Sequence, residues 1–358
     1  MGDIMEIIYQ YLLAAMQLNA SDLHITVSVP PIIRVNGQLQ PLQGVEPLTP
    51  EQTRDIVFSM LNPEQAKTLD ACGQVDFSYA IAKKGRFRVN VFKQRKSYSA
   101  ALRILVQEMP TIEGLGLPAT LKEFALKPRG LVLVTGPTGS GKSTTLAAMV
   151  NFINSNKHCH VLTIEDPIEY LHRHNNSIIN QREVGDDTNS FSDALRSALR
   201  EDPDVILVGE MRDLETISTA LSAAETGHLV LSTLHTIGAA QTVDRIIDMF
   251  PPYQQQQIRV QLASVLQGVV TQQLLMNTAR TGRVVALELL IVNDAVRNMI
   301  RENKCHQIAT AMQTGIKQGM IPMDYDLSRL VKEGLISPNE AFSRCLDAET
   351  LKRYLSAN

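Results

Sequence analysis

Three features that mark other classes of protein are missing from this chain of 358 residues. Its four cysteines are scattered and none belongs to a CxxC pair, which argues against a cysteine-based zinc site and favours a reducing compartment. No apolar run approaches the roughly 18 residues of a membrane span; the densest late run, VVALELLIV at 284–292, contains Glu288. Basic residues are not in excess, since 34 Lys and Arg face 37 Asp and Glu for a formal net charge of −3, so no strong field attracts nucleic acid or anionic lipid.

The N-terminus and the composition indicate a cytoplasmic globular protein. MGDIMEIIYQYLLAAM lacks the basic start of a signal peptide, and its apolar residues recur at helical spacing. Apolar residues make up 44% of the chain and charged residues 20%, as in ordinary globular proteins. One core rarely extends over this length, so we expect two domains.

Residues 1–107 are predicted to form a small α+β domain. After a first helix, Asn36-Gly37 lies between two short extended segments, which is a strong hairpin signal. VDFSYAIAKKGRFRVNVF then alternates with period two on both sides of Lys83-Lys84-Gly85, and SYSAALRIL (97–105) can extend the same antiparallel sheet.

A Pro- and Gly-rich linker at 108–118 precedes a second domain over 119–358 with a different pattern. Here helix-like stretches alternate with uninterrupted apolar strands at 131–135, 160–164, 204–209 and 228–233. This alternation predicts a parallel α/β sheet. Beyond Pro251-Pro252 we expect mainly helix, including one apolar stripe made of Ile258, Leu262, Val265, Leu266, Val269 and Val270.

The segment GPTGSGKS at 136–143 matches the phosphate-loop pattern G-x-x-x-x-G-K-[ST] in full, with a strand before it and a helix after it. Such a loop surrounds phosphate oxygens with backbone N–H groups, its lysine reaches the β- and γ-phosphates, and its serine can bind Mg²⁺. A glycine-rich turn with an incidental lysine is the alternative interpretation. The predicted nucleotide-binding residues are Gly136, Pro137, Thr138, Gly139, Ser140, Gly141, Lys142, Ser143 and Thr144.

The stretch EDPDVILVGEMRD (201–213) raises a question about the metal. Many nucleotide hydrolases end such a strand in an aspartate that helps to hold Mg²⁺, whereas here the position is Gly209 and the acid comes one residue later as Glu210. The longer side chain can act through a metal-bound water, so Ser143 and Glu210 are the predicted metal residues. A second acid is then needed to orient the attacking water.

Two further strand ends carry polar groups. TIEDPIEY (163–170) contains Glu169, and GHLVLSTLHT (227–236) reaches His235. Because parallel strands end at one edge of a sheet, we expect both beside the phosphate loop, with Glu169 polarising water and His235 sensing phosphate. A solvated acidic loop and a structural histidine are the alternatives, and His228 is the weaker histidine candidate.

These motifs together resemble the type II/IV secretion ATPase superfamily, and within it the type IV pilus retraction ATPase (PilT) family. GPTGSGKSTT is similar to the family's Walker A motif, TIEDPIEY to its Asp box, DVILVGEMRD to its Walker B motif and GHLVLSTLHT to its His box. The resemblance covers nearly the whole chain. It implies an N-terminal PAS-like α+β domain, a RecA-like P-loop ATPase domain with a helical C-terminal part, a homo-hexameric ring, and use of ATP with Mg²⁺.

The resemblance also assigns roles to arginines of the N-terminal domain. In the family such arginines complete the nucleotide site, and Arg88 in RFRVN and Arg103 in ALRIL match those positions. Arg86 and Arg95 compete for this role, and an exposed sheet face is the alternative. The chain departs from the family pattern in VLSTLHT, which lacks an aromatic residue, and in KQRKSYSA, which lacks a glycine after the arginine.

The expected function is therefore that of a hexameric motor that couples ATP hydrolysis to type IV pilus retraction and twitching motility. The predicted catalytic residues are Lys142, Glu169, Glu210, His235, Arg88 and Arg103. The expected partner is a platform protein of the inner membrane, with the motor at the inner face of the cell membrane and attached to it only through partners. Alternatives are an accessory retraction paralogue, a pilus-extension or type II secretion ATPase, a nucleotide-gated scaffold without hydrolysis, and a nucleic-acid translocase.

One C-terminal segment, AVRNMIRE at 295–302, resembles a motif associated with retraction in the family. We expect it to form a helix with Asp294 as its N-cap. Arg297 and Arg301 lie at i and i+4 on such a helix. They are predicted to reach an acidic partner, and a packed helix with a solvated basic side is the alternative.

Overall fold

The structure of the protein, a computed structural model, describes residues 2–35, 37–81, 85–105 and 108–356. The chain divides into two compact units, the first made of Met1–Glu108 with Glu169–Leu171 and the second of Met109–Ile168 with His172–Asn358. Over the described residues, no helix is both long and apolar enough to cross a membrane. The sequence-derived boundaries, with a linker at 108–118, stay a prediction.

The first unit is built on one antiparallel sheet in the order β3-β2-β1-β6-β5-β4. Its elements are α1 (Gly2–Gln17), β1 (Asp22–Ile25), β2 (Ile32–Val35), β3 (Gln38–Pro41), α2 (Pro50–Met60), α3 (Pro63–Cys72), β4 (Gln74–Ile81), β5 (Gly85–Gln94) and β6 (Ser97–Ile104). The predicted hairpin is confirmed by the pairing of β2 with β3. Asn36, Lys83 and Lys84 themselves lie outside the described residues.

The period-two alternation of this sheet decides which face is buried. Phe87, Val89 and Val91 of β5 are fully buried with α1 and α2 in one core. Arg88 lies between them in sequence and is exposed, because neighbouring residues of a strand point to opposite faces. The sheet therefore presents its polar face away from its own core.

The second unit is an α/β domain whose sheet has the order β13-β12-β7-β11-β10-β8-β9. Its strands are β7 (Gly130–Thr135), β8 (His160–Glu165), β9 (Ile178–Glu183), β10 (Val205–Val208), β11 (Leu229–Leu234), β12 (Leu266–Met276) and β13 (Arg283–Ile291). Its α-helices are α4 (Thr120–Ala125), α5 (Lys142–Asn156), α6 (Phe191–Ala198), α7 (Leu214–Glu225), α8 (Ala239–Asp248), α9 (Pro252–Val265), α10 (Asp294–Arg301), α11 (Ile308–Thr314), α12 (Met323–Lys332), α13 (Pro338–Arg344) and α14 (Ala348–Ser356). Two 3-10 turns cover Cys305–Gln307 and Ile316–Gln318.

The central strands are apolar throughout because both faces of the sheet are covered. Along β7, Leu131 and Leu133 belong to one core cluster, while Val132 and Val134 belong to the cluster on the other face. All pairings in this sheet are parallel except that of β12 with β13. The predicted parallel α/β sheet is confirmed, with one antiparallel edge strand added.

The predicted apolar helical stripe beyond Pro251-Pro252 is wrong from Leu266 onward. α9 ends at Val265, and the chain continues directly as β12, which pairs in parallel with β7. Both conformations bury the same apolar residues, so periodicity alone does not separate them over a short run. The branched residues Val269, Val270 and Thr271 favour a strand. As a strand, this segment also hydrogen-bonds the edge of β7 that β11 leaves unpaired.

Candidate nucleotide site

The loop between β7 and α5 has the backbone that a phosphate loop requires. Gly136, Gly139 and Gly141 have φ of 136°, 79° and 91°, a region that side chains with a Cβ rarely adopt. A Cβ on Gly136 would lie 2.3 Å from the Gln272 carbonyl oxygen and 2.8 Å from Ser140 Oγ. Glycine is therefore required at 136 by close approach as well as by φ.

Lys142 lies over this loop. Its ammonium donates hydrogen bonds to the carbonyl oxygens of Gly136, at 2.8 Å, and of Pro137, at 3.0 Å, and the residue is only 9% exposed. Ser143 is exposed in the first turn of α5. A lysine, a hydroxyl and the backbone N–H groups of a helix start thus meet at one loop, and this set fits a bound phosphate chain.

A polar layer behind the loop comes from β12. Gln272 donates from Nε2 to Thr145 Oγ1 of α5 at 2.9 Å, and the hydroxyls of Thr135 and Thr271 hydrogen-bond at 2.8 Å. These contacts fasten the first turn of α5 and the end of β7 to the neighbouring strand. Sequence reasoning missed them because it placed this segment in a helix.

The next strand ends bring Glu210 and His235 together. Nε2 of His235 lies 3.5 Å from Oε2 of Glu210, and Nε of Arg212 lies 2.8 Å from Oε1 of the same carboxylate. The Thr233 hydroxyl donates to the Gly209 carbonyl at 2.6 Å, which ties the end of β10 to β11. Glu210 therefore presents its carboxylate between a histidine and an arginine.

Gly209 occupies a tight position. A Cβ there would lie 3.2 Å from the Ile164 carbonyl oxygen of β8 and 3.5 Å from the Phe191 ring. A larger residue would require these neighbours to shift by a few tenths of an ångström. The close packing of β10 against β8 thus favours glycine at this position and leaves the acid to the following residue.

The acidic segment after β8 is only partly available for chemistry. Glu165 accepts hydrogen bonds from the Thr163 hydroxyl at 2.6 Å and from Gln181 at 3.1 Å. Glu183 of β9, buried and not selected from the sequence, accepts from the Ile168 N–H at 2.9 Å and so supports the same segment. Glu169 is exposed, and within the described residues its side chain has no hydrogen bond or ion pair.

The arginines of the first unit form a row across its polar face. Arg103 of β6 is directly opposite Arg88 of β5 on one side and Asp22 of β1 on the other. Arg103 Nε donates to Asp22 Oδ1 at 3.0 Å, and Arg34 lies 3.7 Å from the other oxygen. Burial raises the pKa of Asp22, but hydrogen bonds from Ser21 and Arg103 and the guanidinium charge outweigh it, so this pKa lies below its usual value.

Arg88 differs from Arg103 in having no such partner. It is exposed, and no hydrogen bond or ion pair of its side chain occurs in the described part of the chain. Arg86 is half-buried on the same strand, while Arg95 lies in the turn between β5 and β6 with φ of 47°. Arg88 is therefore exposed and unpaired among the described residues, whereas Arg103 is exposed but paired with Asp22.

His228 has a structural contact. Its Nδ1 lies 3.0 Å from the Ala223 carbonyl oxygen at the end of α7, and its N–H donates to the same oxygen at 3.1 Å. These bonds fix the turn that leads into β11. His235, at the other end of the strand, is the histidine that reaches the candidate site.

The side chains at the site fit the small contribution that a protein makes to a magnesium nucleotide. Among the described residues, no group of three or more His, Cys, Asp or Glu side chains could hold a metal ion. Mg²⁺ commonly uses one or two protein oxygens together with phosphate oxygens and water. Ser143 and Glu210 fit this smaller contribution.

Comparison with known proteins decides the family. The family model described as "Type II/IV secretion system protein" matches residues 1–338. The chain belongs to this family.

Two relatives and one solved structure are similar to this chain over most of its length. The chain is 49% identical to "Type IV pilus retractation ATPase PilT" of Pseudomonas aeruginosa over 322 residues, which are 90% of this chain and 93% of that protein. It is 50% identical to "Twitching motility protein" of Neisseria gonorrhoeae over 321 residues, 90% of this chain and 86% of the relative. The crystal structure of "the Pilus Retraction Motor PilT and Bound ADP" superposes with a TM-score of 0.91 at 51% identity, covering 96% of this chain and 98% of that chain.

These matches confirm three predictions for this member of the type II/IV secretion family. The family is the predicted one, the fold is an N-terminal PAS-like domain with a RecA-like ATPase domain, and the chain is a P-loop ATPase. The roles of individual site residues are not tested by them and stay predictions.

The segment AVRNMIRE lies in α10 up to Arg301, and the N-cap predicted for this helix is wrong. The N-cap is Asn293, whose Oδ1 accepts from the Val296 N–H at 3.0 Å, and Asp294 lies in the first turn instead. Arg297 donates from Nη1 to the carbonyl oxygens of Ala263, at 2.7 Å, and Ser264, at 3.0 Å. Arg297 therefore caps the C-terminal end of α9, where a cation is favoured, whereas Arg301 is exposed.

Proposed function

We propose that this chain is a motor ATPase that drives the retraction of a type IV pilus and so supports twitching motility. The observation that carries the proposal is the similarity, over 90% of the chain, to proteins named for pilus retraction and twitching motility. The complete phosphate loop and the neighbouring pair of Glu210 and His235 support hydrolysis rather than nucleotide binding alone. A non-hydrolysing scaffold would not need these groups.

In the proposed reaction ATP is the substrate and the loop binds its phosphates. Lys142 moves from its two loop carbonyls to the β- and γ-phosphates, where its charge offsets the negative charge that develops during transfer. Bound Mg²⁺ would neutralise part of the phosphate charge, with Ser143 and Glu210 supporting it. Glu169 polarises the attacking water, and His235 senses the γ-phosphate beside Glu210.

Arg88 and Arg103 are proposed to clamp the γ-phosphate from a different domain or subunit. Both side chains are exposed, but Arg103 is paired with Asp22 whereas Arg88 makes no hydrogen bond or ion pair in the described part of the chain. A free guanidinium loses less when it binds phosphate, since no existing ion pair has to break. We therefore assign the larger share of phosphate binding to Arg88.

The working assembly is proposed to be a homo-hexamer at the inner face of the cell membrane. Its partner would be the platform protein of the pilus machine, and contact with the membrane would occur only through such partners. The net charge of −3 gives no reason to expect nucleic acid as a ligand. An accessory retraction motor or a pilus-extension ATPase would share the same nucleotide chemistry.

The experiment combines Lys142→Ala with a scoring of surface pili. Loss of the lysine should reduce ATP turnover at saturating nucleotide by on the order of 10²–10³-fold, because it removes a charge that stabilises the transition state. Lys157→Ala is the matched control, since Lys157 follows the last residue of the same helix and, within the described residues, its ammonium bonds only the Lys127 carbonyl.

In cells, the Lys142→Ala variant should give excess pili that do not retract, and the Lys157→Ala control should behave as wild type. Cells without pili would instead identify an extension ATPase. Normal turnover of the Lys142→Ala enzyme would reject the proposed hydrolysis.

A further inference from the structure

Gln272 of β12 contacts the phosphate loop at both of its ends. Thr271 pairs with Thr135, the last residue of β7, and the next residue, Gln272, lies beside Gly136, where the loop begins. The Gln272 carbonyl oxygen is 2.3 Å from the position that a Cβ on Gly136 would take. Its side chain donates from Nε2 to Thr145 Oγ1 at 2.9 Å, in the first turn of α5. One residue thus spans the loop from the strand before it to the helix after it.

The other polar atom of this carboxamide is unused. Gln272 is 1% exposed, and its Oε1 is buried with no hydrogen-bond partner within the described residues. A buried acceptor that lacks a donor is costly, and native proteins contain few such atoms. Gln272 Oε1 therefore calls for a donor that reaches it in another arrangement of the loop.

Ser140, in the middle of the phosphate loop, carries a matching group. It is 2% exposed, and its Oγ is also buried without a partner in the part of the chain that the structure describes. Ser140 Oγ lies 2.8 Å from the same Cβ position on Gly136 that the Gln272 carbonyl oxygen approaches. A hydroxyl can donate, whereas an amide oxygen only accepts. The two unmet groups are thus complementary, and both belong to residues that flank Gly136.

Contacts of the loop backbone hold Ser140 in its present position. The Lys142 ammonium bonds the carbonyl oxygens of Gly136 and Pro137, at 2.8 and 3.0 Å, and the Ser140 N–H donates to the Pro137 carbonyl at 3.2 Å. In the proposed reaction Lys142 leaves these carbonyls for the phosphates. The segment from Gly136 to Ser140 is then held by phosphate oxygens on its N–H groups instead. This exchange of partners allows the Ser140 hydroxyl to change its position.

We propose that Gln272 is a positioning residue for the phosphate loop. When phosphate occupies the loop, Gln272 Oε1 accepts a hydrogen bond from the Ser140 hydroxyl, while Nε2 keeps its bond to Thr145. The middle of the loop and the start of α5 are then fixed to one carboxamide, which holds the N–H groups between them towards the phosphates. This inference rests on the proposed binding of ATP by the loop and is independent of the step that the motor drives.

Ser140→Ala tests the proposal through two effects that differ in sign. Without nucleotide the hydroxyl has no partner to lose, so the thermal midpoint of the full chain should stay the same or rise. With ADP and Mg²⁺ the variant lacks the proposed bond, so the Kd for ADP should rise about three- to tenfold, as expected for one hydrogen bond. A lower midpoint without nucleotide, or an unchanged Kd for ADP, would overturn the inference.

A double-mutant cycle identifies the acceptor. Gln272→Met removes the carboxamide from an unbranched side chain of similar length. In this background Ser140→Ala should change the Kd for ADP by less than about twofold, because the partner is already lost. Gln273→Met is the matched control, since Gln273 is the next residue, is 7% exposed and bonds the Arg344 carbonyl at 3.3 Å. In the control background Ser140→Ala should have its full effect on Kd.

A second variant at the same position guards against misfolding of Gln272→Met. Gln272→Asn keeps a carboxamide that is one methylene shorter, and it should equally abolish the effect of Ser140→Ala on ADP binding. The inference is wrong if that effect persists in the folded Gln272 variants, or if it disappears equally in Gln273→Met. Either result in a wild-type protein that hydrolyses ATP would leave the proposed function intact, because the loss of turnover in Lys142→Ala tests hydrolysis separately.

Discussion

The two carboxylate oxygens of Glu210 have different partners. Arg212 pairs with one at 2.8 Å, and the His235 ring approaches the other at 3.5 Å. A carboxylate held in this way can orient a metal-bound water without binding the metal tightly itself. Glu169, in contrast, is exposed and has no fixed partner among the described residues, as expected of a group that acts only when substrate and neighbours are in place.

This difference predicts separate effects of Glu169→Gln and Glu210→Gln. Both should slow hydrolysis, but only Glu210→Gln should raise the Mg²⁺ concentration needed for half-maximal turnover, because Glu210 is the acid proposed to support the metal's water shell. Glu169→Gln should retain ATP with metal bound. Magnesium titrations of turnover and of nucleotide retention measure both effects. Normal turnover and unchanged titrations in both variants would contradict the roles assigned to Glu169 and Glu210.

At the scale of elements, α10 and α9 are joined through Arg297. Its guanidinium bonds two carbonyl groups at the end of α9, and α10 buries Val296 and Ile300 in the main core. Arg301 instead donates to the Arg297 carbonyl at 3.3 Å and is exposed. The two arginines, at positions i and i+4 of one helix, therefore differ in their contacts: Arg297 joins α10 to α9, and Arg301 does not.

We accordingly predict that Arg297→Ala lowers the free energy of unfolding by roughly 1–2 kcal/mol, since charge-assisted bonds to two carbonyls are lost. Arg301→Ala should leave stability within error and still abolish pilus retraction, with basal ATPase largely kept. Denaturant unfolding, ATP turnover and a retraction assay separate these results. Normal retraction with Arg301→Ala would exclude a coupling role for this residue.

The turn between β5 and β6 is the place at which KQRKSYSA lacks a glycine after the arginine. Arg95 and Lys96 have φ of 47° and 63°, so the chain forms a two-residue hairpin turn whose geometry favours glycine at the second position. Lysine in this conformation costs roughly 1–2 kcal/mol, offset in part by the greater flexibility of glycine in the unfolded chain.

Lys96→Gly should therefore stabilise the protein by about 0.5–1 kcal/mol. Thermal unfolding of the full chain measures this effect. Lys93→Gly is the contrasting variant, because Lys93 lies inside β5 and pairs with Asp70 at 2.9 Å; it should destabilise. A lower midpoint for Lys96→Gly would show that the lysine makes a contact worth more than the backbone strain.

At the scale of the whole molecule, the groups assigned to one reaction are distributed over two units. Lys142, Glu210 and His235 belong to the second unit, while Arg88 and Arg103 belong to the first. Charge supplied from outside an ATPase domain can accelerate phosphoryl transfer by ~10³–10⁵-fold. We expect a smaller factor where two arginines share the work.

The fragment 112–358 should therefore bind ATP and hydrolyse it slowly. Binding should persist because the phosphate loop and its polar support from β12 are all within the fragment. Nucleotide titration and turnover under the same conditions measure the two properties. Full activity of the fragment would show that Arg88 and Arg103 are not catalytic.

The sequence by itself determined the features that depend on local pattern. The phosphate loop, the buried strands that meet at one sheet edge, and the antiparallel hairpins follow from glycine spacing, uninterrupted apolar runs and period-two alternation. The family resemblance rests on the same short segments, and the comparisons confirm it. All of these signals lie within a few neighbouring residues.

Only the tertiary structure decided what depends on distant partners. Leu266–Met276 is a strand because it pairs with an edge of β7. Arg297 caps the C-terminal end of α9 because that end lies beside α10. Glu288 looks like a break in an apolar run, yet it bonds Ala239, 49 positions away. A buried polar group must find a partner, and the sequence states that need without showing which distant backbone satisfies it.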